Sequence, residues 1–203
     1  MRFGAGRFVA GETLDEAVPV LRRLNTLGLA TNTTLLGEGV TDEAETREVV
    51  DAYRTIFDRI AAEGLRANVA LKLTQLGLVL DEELAYANLA ALADHAAARG
   101  NFVRIDMEES AHVDATLRLF RRVREGGREN VGTVLQSYLH RAESDLEALL
   151  DLAPNLRFVK GAYLEPPEIA YPSKEDVDAS YGGLSSGRLR RAGSRRSRRT
   201  TSG

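Results

Sequence analysis

Val131-Gly132-Thr133-Val134-Leu135-Gln136 is an apolar run closed by an amide. Its β-branched residues predict a strand. It does not alternate between apolar and polar positions, which predicts burial on both faces, as in a parallel sheet. Three further runs have the same form: Val69-Ala70-Leu71-Lys72, Phe102-Val103-Arg104-Ile105-Asp106 and Arg157-Phe158-Val159-Lys160-Gly161-Ala162-Tyr163. A charged side chain ending a buried strand is costly unless it is paired or solvated at the sheet's rim. Four such strands, separated by helical segments, point to an α/β fold whose site is gathered at the carboxyl ends of the strands, as in (β/α) barrels.

The intervening segments read as helices. Thr13-Leu14-Asp15-Glu16 is a capping box, followed at helical spacing by Ala17, Val18, Leu21 and Leu24. Pro19 predicts a bend there or a late start. Leu29–Leu36 reads as a first strand. Thr41 is placed to cap a helix with Val49, Val50, Tyr53, Ile56, Phe57 and Ile60 on its inner face. An Ala- and Leu-rich helix runs from about Asp81 to Arg99, and Ser110 begins another. A further helix precedes Pro154, a fifth strand runs from Leu156 to Ala162, and Ser173 opens the last helix. About five βα units of a (β/α)8 barrel are visible, each of the usual size.

Composition narrows the class. The chain has 203 residues, 43% of them hydrophobic, enough for one domain with a substantial core. It has no cysteine, so disulfides and thiolate chemistry are excluded, and a reducing cytoplasm is compatible with that. No run approaches a membrane span, and Met1–Arg7 lacks the apolar stretch of a signal peptide. The net charge of −3 hides an asymmetry: residues 1–181 hold 20 Lys and Arg against all 30 acids, whereas residues 182–203 hold seven Arg and no acid. An acidic body argues against a nucleic-acid partner. One domain and a tail are expected: residues 1–181 as a partial barrel, and residues 182–203 as a disordered Arg/Gly/Ser tail of non-native sequence, too poor in apolar residues to offset ordering entropy.

Singly, the strand-end residues have structural readings. Lys72 suits a snorkelling rim lysine. Asp106 suits a helix cap or a partner of Arg104. Gln136 suits a bonded rim amide, Arg157 an ion pair, Gly161 a tight turn and Tyr163 a rim aromatic. Jointly they describe a rim for an anionic, hydrogen-bonding small molecule. His95, His112 and His140 are too scattered for a metal site. Gly4-Ala5-Gly6 and Gly37-Glu38-Gly39 suit turns rather than phosphate cradles.

Leu71–Gly77, Arg104–Glu108, Val134–Tyr138 and Arg157–Tyr163, in this order, closely resemble the motifs of the proline dehydrogenase family in its monofunctional bacterial form. The likeness runs from about Arg7 to Tyr181. It implies a distorted (β/α)8 barrel carrying FAD across the strands' carboxyl ends. The implied activity is oxidation of L-proline to 1-pyrroline-5-carboxylate, by hydride transfer from C5 to the flavin, with electrons passed to a quinone. Peripheral contact with a bacterial inner membrane follows. By this resemblance, Lys72 and Tyr163 bind substrate, and Asp106 and Arg157 serve the chemistry. Met107, Gln136, Lys160, Gly161 and Ala162 contact the cofactor.

The family's later units, with a Thr-His pair and a helix bearing a Tyr and two arginines, have no counterpart in residues 182–203, and the arginine pairs there lack that helical pattern. A shifted reading frame and a truncated barrel are expected. An open sheet leaves an edge unpaired, so this polypeptide alone is expected to hold FAD poorly and to turn proline over weakly or not at all. The alternatives are an inactive barrel fragment with a basic tail and a barrel lyase using Lys72 or Lys160 as a Schiff-base amine.

Overall fold

The computed structural model describes residues 9–37 and 39–199, with side chains as far as Ser186. Its helices are α1 (Leu14–Thr26), α2 (Glu43–Ala62), α3 (Glu82–Ala97), α4 (Ser110–Glu125), α5 (Ala142–Leu149) and α6 (Lys174–Arg199). Its strands are β1 (Thr31–Thr33), β2 (Ala67–Leu71), β3 (Val103–Ile105), β4 (Val131–Gln136) and β5 (Leu156–Val159). β1, β2 and β3 pair in chain order, as do β4 and β5, and these pairings are parallel. These are consecutive βα units of the barrel type. The turn expected at Gly4–Gly6, the start of the likeness at Arg7, and Glu38 lie outside the described residues.

The chain divides into two compact units. The first comprises the residues up to Asp106 together with Gly126–Val131. Its β1 pairs with β2 over Thr31↔Ala67 to Thr33↔Val69, and β2 with β3 over Val69↔Val103 to Leu71↔Ile105. β1 is shorter than the sequence suggests, because only three of its residues find partners; Leu29 and Leu36 are exposed. α1 begins at Leu14, where Thr13 Oγ1 accepts the Glu16 N–H, and it continues through Pro19. α2 is capped by Asp42 rather than Thr41: Asp42 Oδ1 accepts the N–H groups of Ala44 and Glu45, while Thr41 binds Glu45 Oε2. The expected inner face of α2 is buried at Val50, Tyr53, Ile56, Phe57 and Ile60.

The second unit comprises Met107–Glu125 and the residues from Gly132 onward. β4 pairs with β5 over Thr133↔Leu156 to Gln136↔Val159, and hydrogen bonds continue from Ser137 N–H to Val159 O and from Tyr138 N–H to Lys160 O. β5 itself ends at Val159, before Lys160, Gly161 and Ala162. Arg141 forks onto Asp145 of α5 at 2.8 and 3.0 Å and reaches Asp114 of α4 at 2.5 Å. It holds the Asp114 carboxyl below the usual carboxylate range.

The basic segment departs from expectation. α6 continues to Arg199, so residues 182–199 carry helical backbone where composition predicts disorder. Leu184, 4% exposed, packs at the start of this stretch. Thr200–Gly203 lie outside the described residues, as do the side chains of the arginine pairs.

In the first unit, asparagines tie together the amino ends of the strands. Asn25 donates to Leu29 O and Arg66 O and accepts the Arg66 N–H at 2.7 Å. Asn101 donates to Ala67 O at 3.1 Å, and Asn130 to Ala93 O at 2.8 Å and Asn101 O at 3.2 Å. A hydrogen bond to a half-buried carbonyl contributes about 1 kcal/mol, and leaving that carbonyl unpaired costs about 1–3 kcal/mol. Asn130→Ala should therefore lower stability by about 1–3 kcal/mol in urea unfolding with an unchanged m-value; a change within a few tenths would contradict this role.

Candidate active site

In the first unit, the parallel register continues one step beyond β2 and β3. The Asp106 N–H donates to Leu71 O at 2.9 Å, so Asp106 and Lys72 follow the matched pair Leu71↔Ile105 at the carboxyl ends of neighbouring strands. Both side chains are half-buried. The chain after Lys72 turns at once through a short 3₁₀ segment, Thr74–Leu76, into Gly77 at φ 96°. Gln75 is buried there, and its Oε1 accepts the Tyr53 hydroxyl at 2.8 Å. Arg104 is buried with its guanidinium 4.9 Å from the Phe102 ring centre.

In the second unit, Gln136 ends β4 and is 3% exposed. The pairs Val134↔Arg157 and Gln136↔Val159, with the two-residue period of strands, put Gln136 and Arg157 on one face. Arg157 lies two residues inside the strand end and is half-buried. Gln136 Nε2 donates to Glu108 O at 2.7 Å, and its buried Oε1 finds no donor among the described residues. Met107 packs in an apolar cluster with Val113, Val134, Tyr138, Leu139 and Ala170.

The segment after β5 is a scaffold as much as a lining. Gly161 stands at φ +121°, and a Cβ there would lie 2.3 Å from the Tyr138 ring. The close approach that glycine permits is made by Tyr138. Lys160 is exposed and ion-paired with Asp178 of α6, which Lys174 also reaches at 2.6 Å. These two lysines hold the Asp178 carboxyl below the usual range. Ala162 is exposed and Tyr163 half-buried.

Tyr138, Ser110, Glu165 and Asp178 escape the sequence reading as site residues. Glu165 accepts both the N–H and the hydroxyl of Ser110 at 2.7 Å, across 55 residues, a partnership with no local signal. Tyr138 had one, since it directly follows the Gln136-Ser137 end of the fourth run. A separate cavity of about 360 Å³ lies between α5 and α6, lined by His140, Glu143, Leu146, Tyr171 and Leu184 among others, and shares no residue with the strand-end groups.

Parallel βα units bearing ionic and amide groups at the strands' carboxyl ends define a protein of the (β/α) barrel class. A family model described as proline dehydrogenase matches residues 17–191, beginning later than the expected Arg7 and running past Tyr181. The chain is 43% identical over 181 residues to proline dehydrogenase of Deinococcus radiodurans, covering 87% of this chain and 58% of that protein. It is 41% identical over 183 residues to proline dehydrogenase 1 of Bacillus subtilis, covering 90% and 60%. The structure of proline utilization A from Bdellovibrio bacteriovorus superposes with a TM-score of 0.79 at 23% identity, over 89% of this chain and 23% of that one. The chain belongs to the proline dehydrogenase family, and it spans about 60% of the length of these two curated relatives. Among the described residues no helix is long and apolar enough to cross a membrane.

Burial pushes the Tyr138 phenol up to about 12, with the Glu165 charge adding to the rise and the Tyr163 backbone N–H opposing it. Between the ordinary value of 10 and about 12, the folded protein keeps a proton that the unfolded chain releases, so stability falls as pH rises through that window. Titration of the tyrosinate absorbance should show one late phenol that Tyr138→Phe removes. Ordinary titration of all six tyrosines would contradict its burial.

Gly161→Ala should be disruptive on two counts, the left-handed backbone and the Tyr138 ring, destabilising by about 2–4 kcal/mol. Measured by chemical unfolding, a cost under about 0.5 kcal/mol would show that the ring moves aside freely.

Proposed function

We propose that this chain carries the FAD-dependent oxidation of L-proline to 1-pyrroline-5-carboxylate, passing electrons to a quinone. The observation that supports it best is Gln136: a buried amide whose nitrogen is taken by Glu108 O and whose oxygen is left to accept. An acceptor fixed at a strand's carboxyl end fits the N–H edge of a planar heterocycle such as a flavin. The positive charge of Arg157 on the same face of the ladder suits a ring that gains negative charge on reduction.

Bound FAD would supply the acceptor for the hydride leaving proline C5. The chain's own residues do the rest. Lys72 holds the substrate carboxylate, a charge-assisted contact that also fixes the amino acid's orientation. Asp106, one strand over from Lys72, orients the partners of the proline ring. Oxidation removes a hydride and a proton, so the amine nitrogen must first lose its second proton. Tyr163 packs against the ring, Met107 and Gln136 meet the cofactor, and Lys160, Gly161 and Ala162 contribute from the segment after β5. The family reading also brings a cytoplasmic location, with peripheral contact at the inner membrane where quinone is reached.

The test is the visible spectrum of the protein with FAD in excess, under anaerobic conditions, before and after L-proline. Slow bleaching of the flavin band is expected. Lys72→Met should raise the half-saturating proline concentration about tenfold or more, and Arg157→Met should slow bleaching by about 10²-fold. No bleaching in the unsubstituted protein would overturn the assignment.

A further inference from the structure

The segment that follows β5 has little apolar packing to hold it. Lys160, Gly161, Ala162 and Pro166 are exposed, and Leu164 is fully so, at 104%. Backbone bonds anchor its two ends: the Tyr138 N–H donates to Lys160 O at 2.8 Å, and the Tyr171 N–H to Tyr138 O at 2.7 Å. Between them, Glu165 is half-buried and turned back onto α4. Its Oε1 accepts the Ser110 N–H and its Oε2 the Ser110 hydroxyl, both at 2.7 Å. A carboxylate there meets the partial positive charge of a helix amino terminus, which strengthens both bonds. Ser110 follows Met107-Glu108-Glu109, and Glu108 O receives Gln136 Nε2 at 2.7 Å. Three βα loops of the second unit are thus linked: after β3 through Ser110 and Glu108, after β4 through Gln136 and Tyr138, after β5 through Lys160 and Glu165.

We propose that Glu165 is a positioning residue for the flavin site: by taking both donors of Ser110 it fixes the backbone of Gly161–Tyr163 against the segment Met107–Glu109. This rests on the reading of the preceding subsection, which puts both segments at the cofactor. Glu165 touches neither substrate nor cofactor. Its effect passes through the loop, by sparing the site the ordering that binding would otherwise require.

The experiment uses the full chain and three variants, Glu165→Gln, Ser110→Ala and the double substitution. Hydrogen exchange of residues 160–165 reads the clamp directly, and quenching of added FAD fluorescence reads its consequence. Exchange in the segment should rise about tenfold in Glu165→Gln and by less in Ser110→Ala, and FAD affinity should fall in the same order, with melting temperature little changed. The double variant should be little worse than Glu165→Gln alone, because Ser110→Ala removes part of the contact that Glu165→Gln already weakens. Ser110→Ala keeps the N–H bond and is the milder variant should Glu165→Gln melt early. Unchanged exchange overturns the clamp. Faster exchange with unaltered FAD affinity makes Glu165 merely structural and overturns the positioning role. Failure of the unsubstituted protein to bind FAD overturns the functional reading on which the role rests, while exchange still decides whether the clamp exists.

Discussion

A parallel ladder transmits register. Because Leu71 stands opposite Ile105 and Gln136 opposite Val159, the residue that ends each strand is set beside the one that ends its neighbour. Nothing further is needed to put Lys72 next to Asp106, or Arg157 on the face of Gln136. A slip of one residue would turn each side chain to the other face of its sheet. Apolar burial on both faces forbids that slip: Val69, Leu71, Val103 and Ile105 are wholly buried, as is Val131. The residues that make the strands are therefore also the ones that aim the polar groups.

The polar groups then differ in how they are used. Gln136 is divided between scaffold and ligand, one end of its amide spent on Glu108 O and the other open. Lys160, expected among the cofactor contacts, makes an ion pair with α6 through Asp178. Gly161 gives up its missing side chain to the Tyr138 ring. A motif such as Lys160-Gly161-Ala162-Tyr163 thus mixes residues that face a ligand with residues that keep the segment in shape, and a recurring string of letters does not separate the two.

Strand runs ending in Lys72, Asp106 and Gln136 were legible because burial on two faces leaves an unbroken apolar signature. Helix limits were legible where a side chain caps them, as at Thr13 and Asp81, and misplaced by one residue at Asp42, where Thr41 and Asp42 compete for the same role. β1 was overextended because β-branched residues mark a tendency, whereas a strand ends where its partner does. The helical backbone of residues 182–199 had no signature in the sequence, since four Gly and four Ser interrupt its arginines. The Ser110–Glu165 contact was beyond reach, since nothing near either residue announces the other.

The asparagines at the amino ends of the strands carry a liability of their own. Asn25, Asn101 and Asn130 each donate from an amide nitrogen to a carbonyl of another segment. Spontaneous deamidation would swap that nitrogen for a charged oxygen, turning attraction into repulsion between two acceptors. Deamidation at any of the three would therefore loosen the ties between the amino ends of these strands without touching a strand-end side chain.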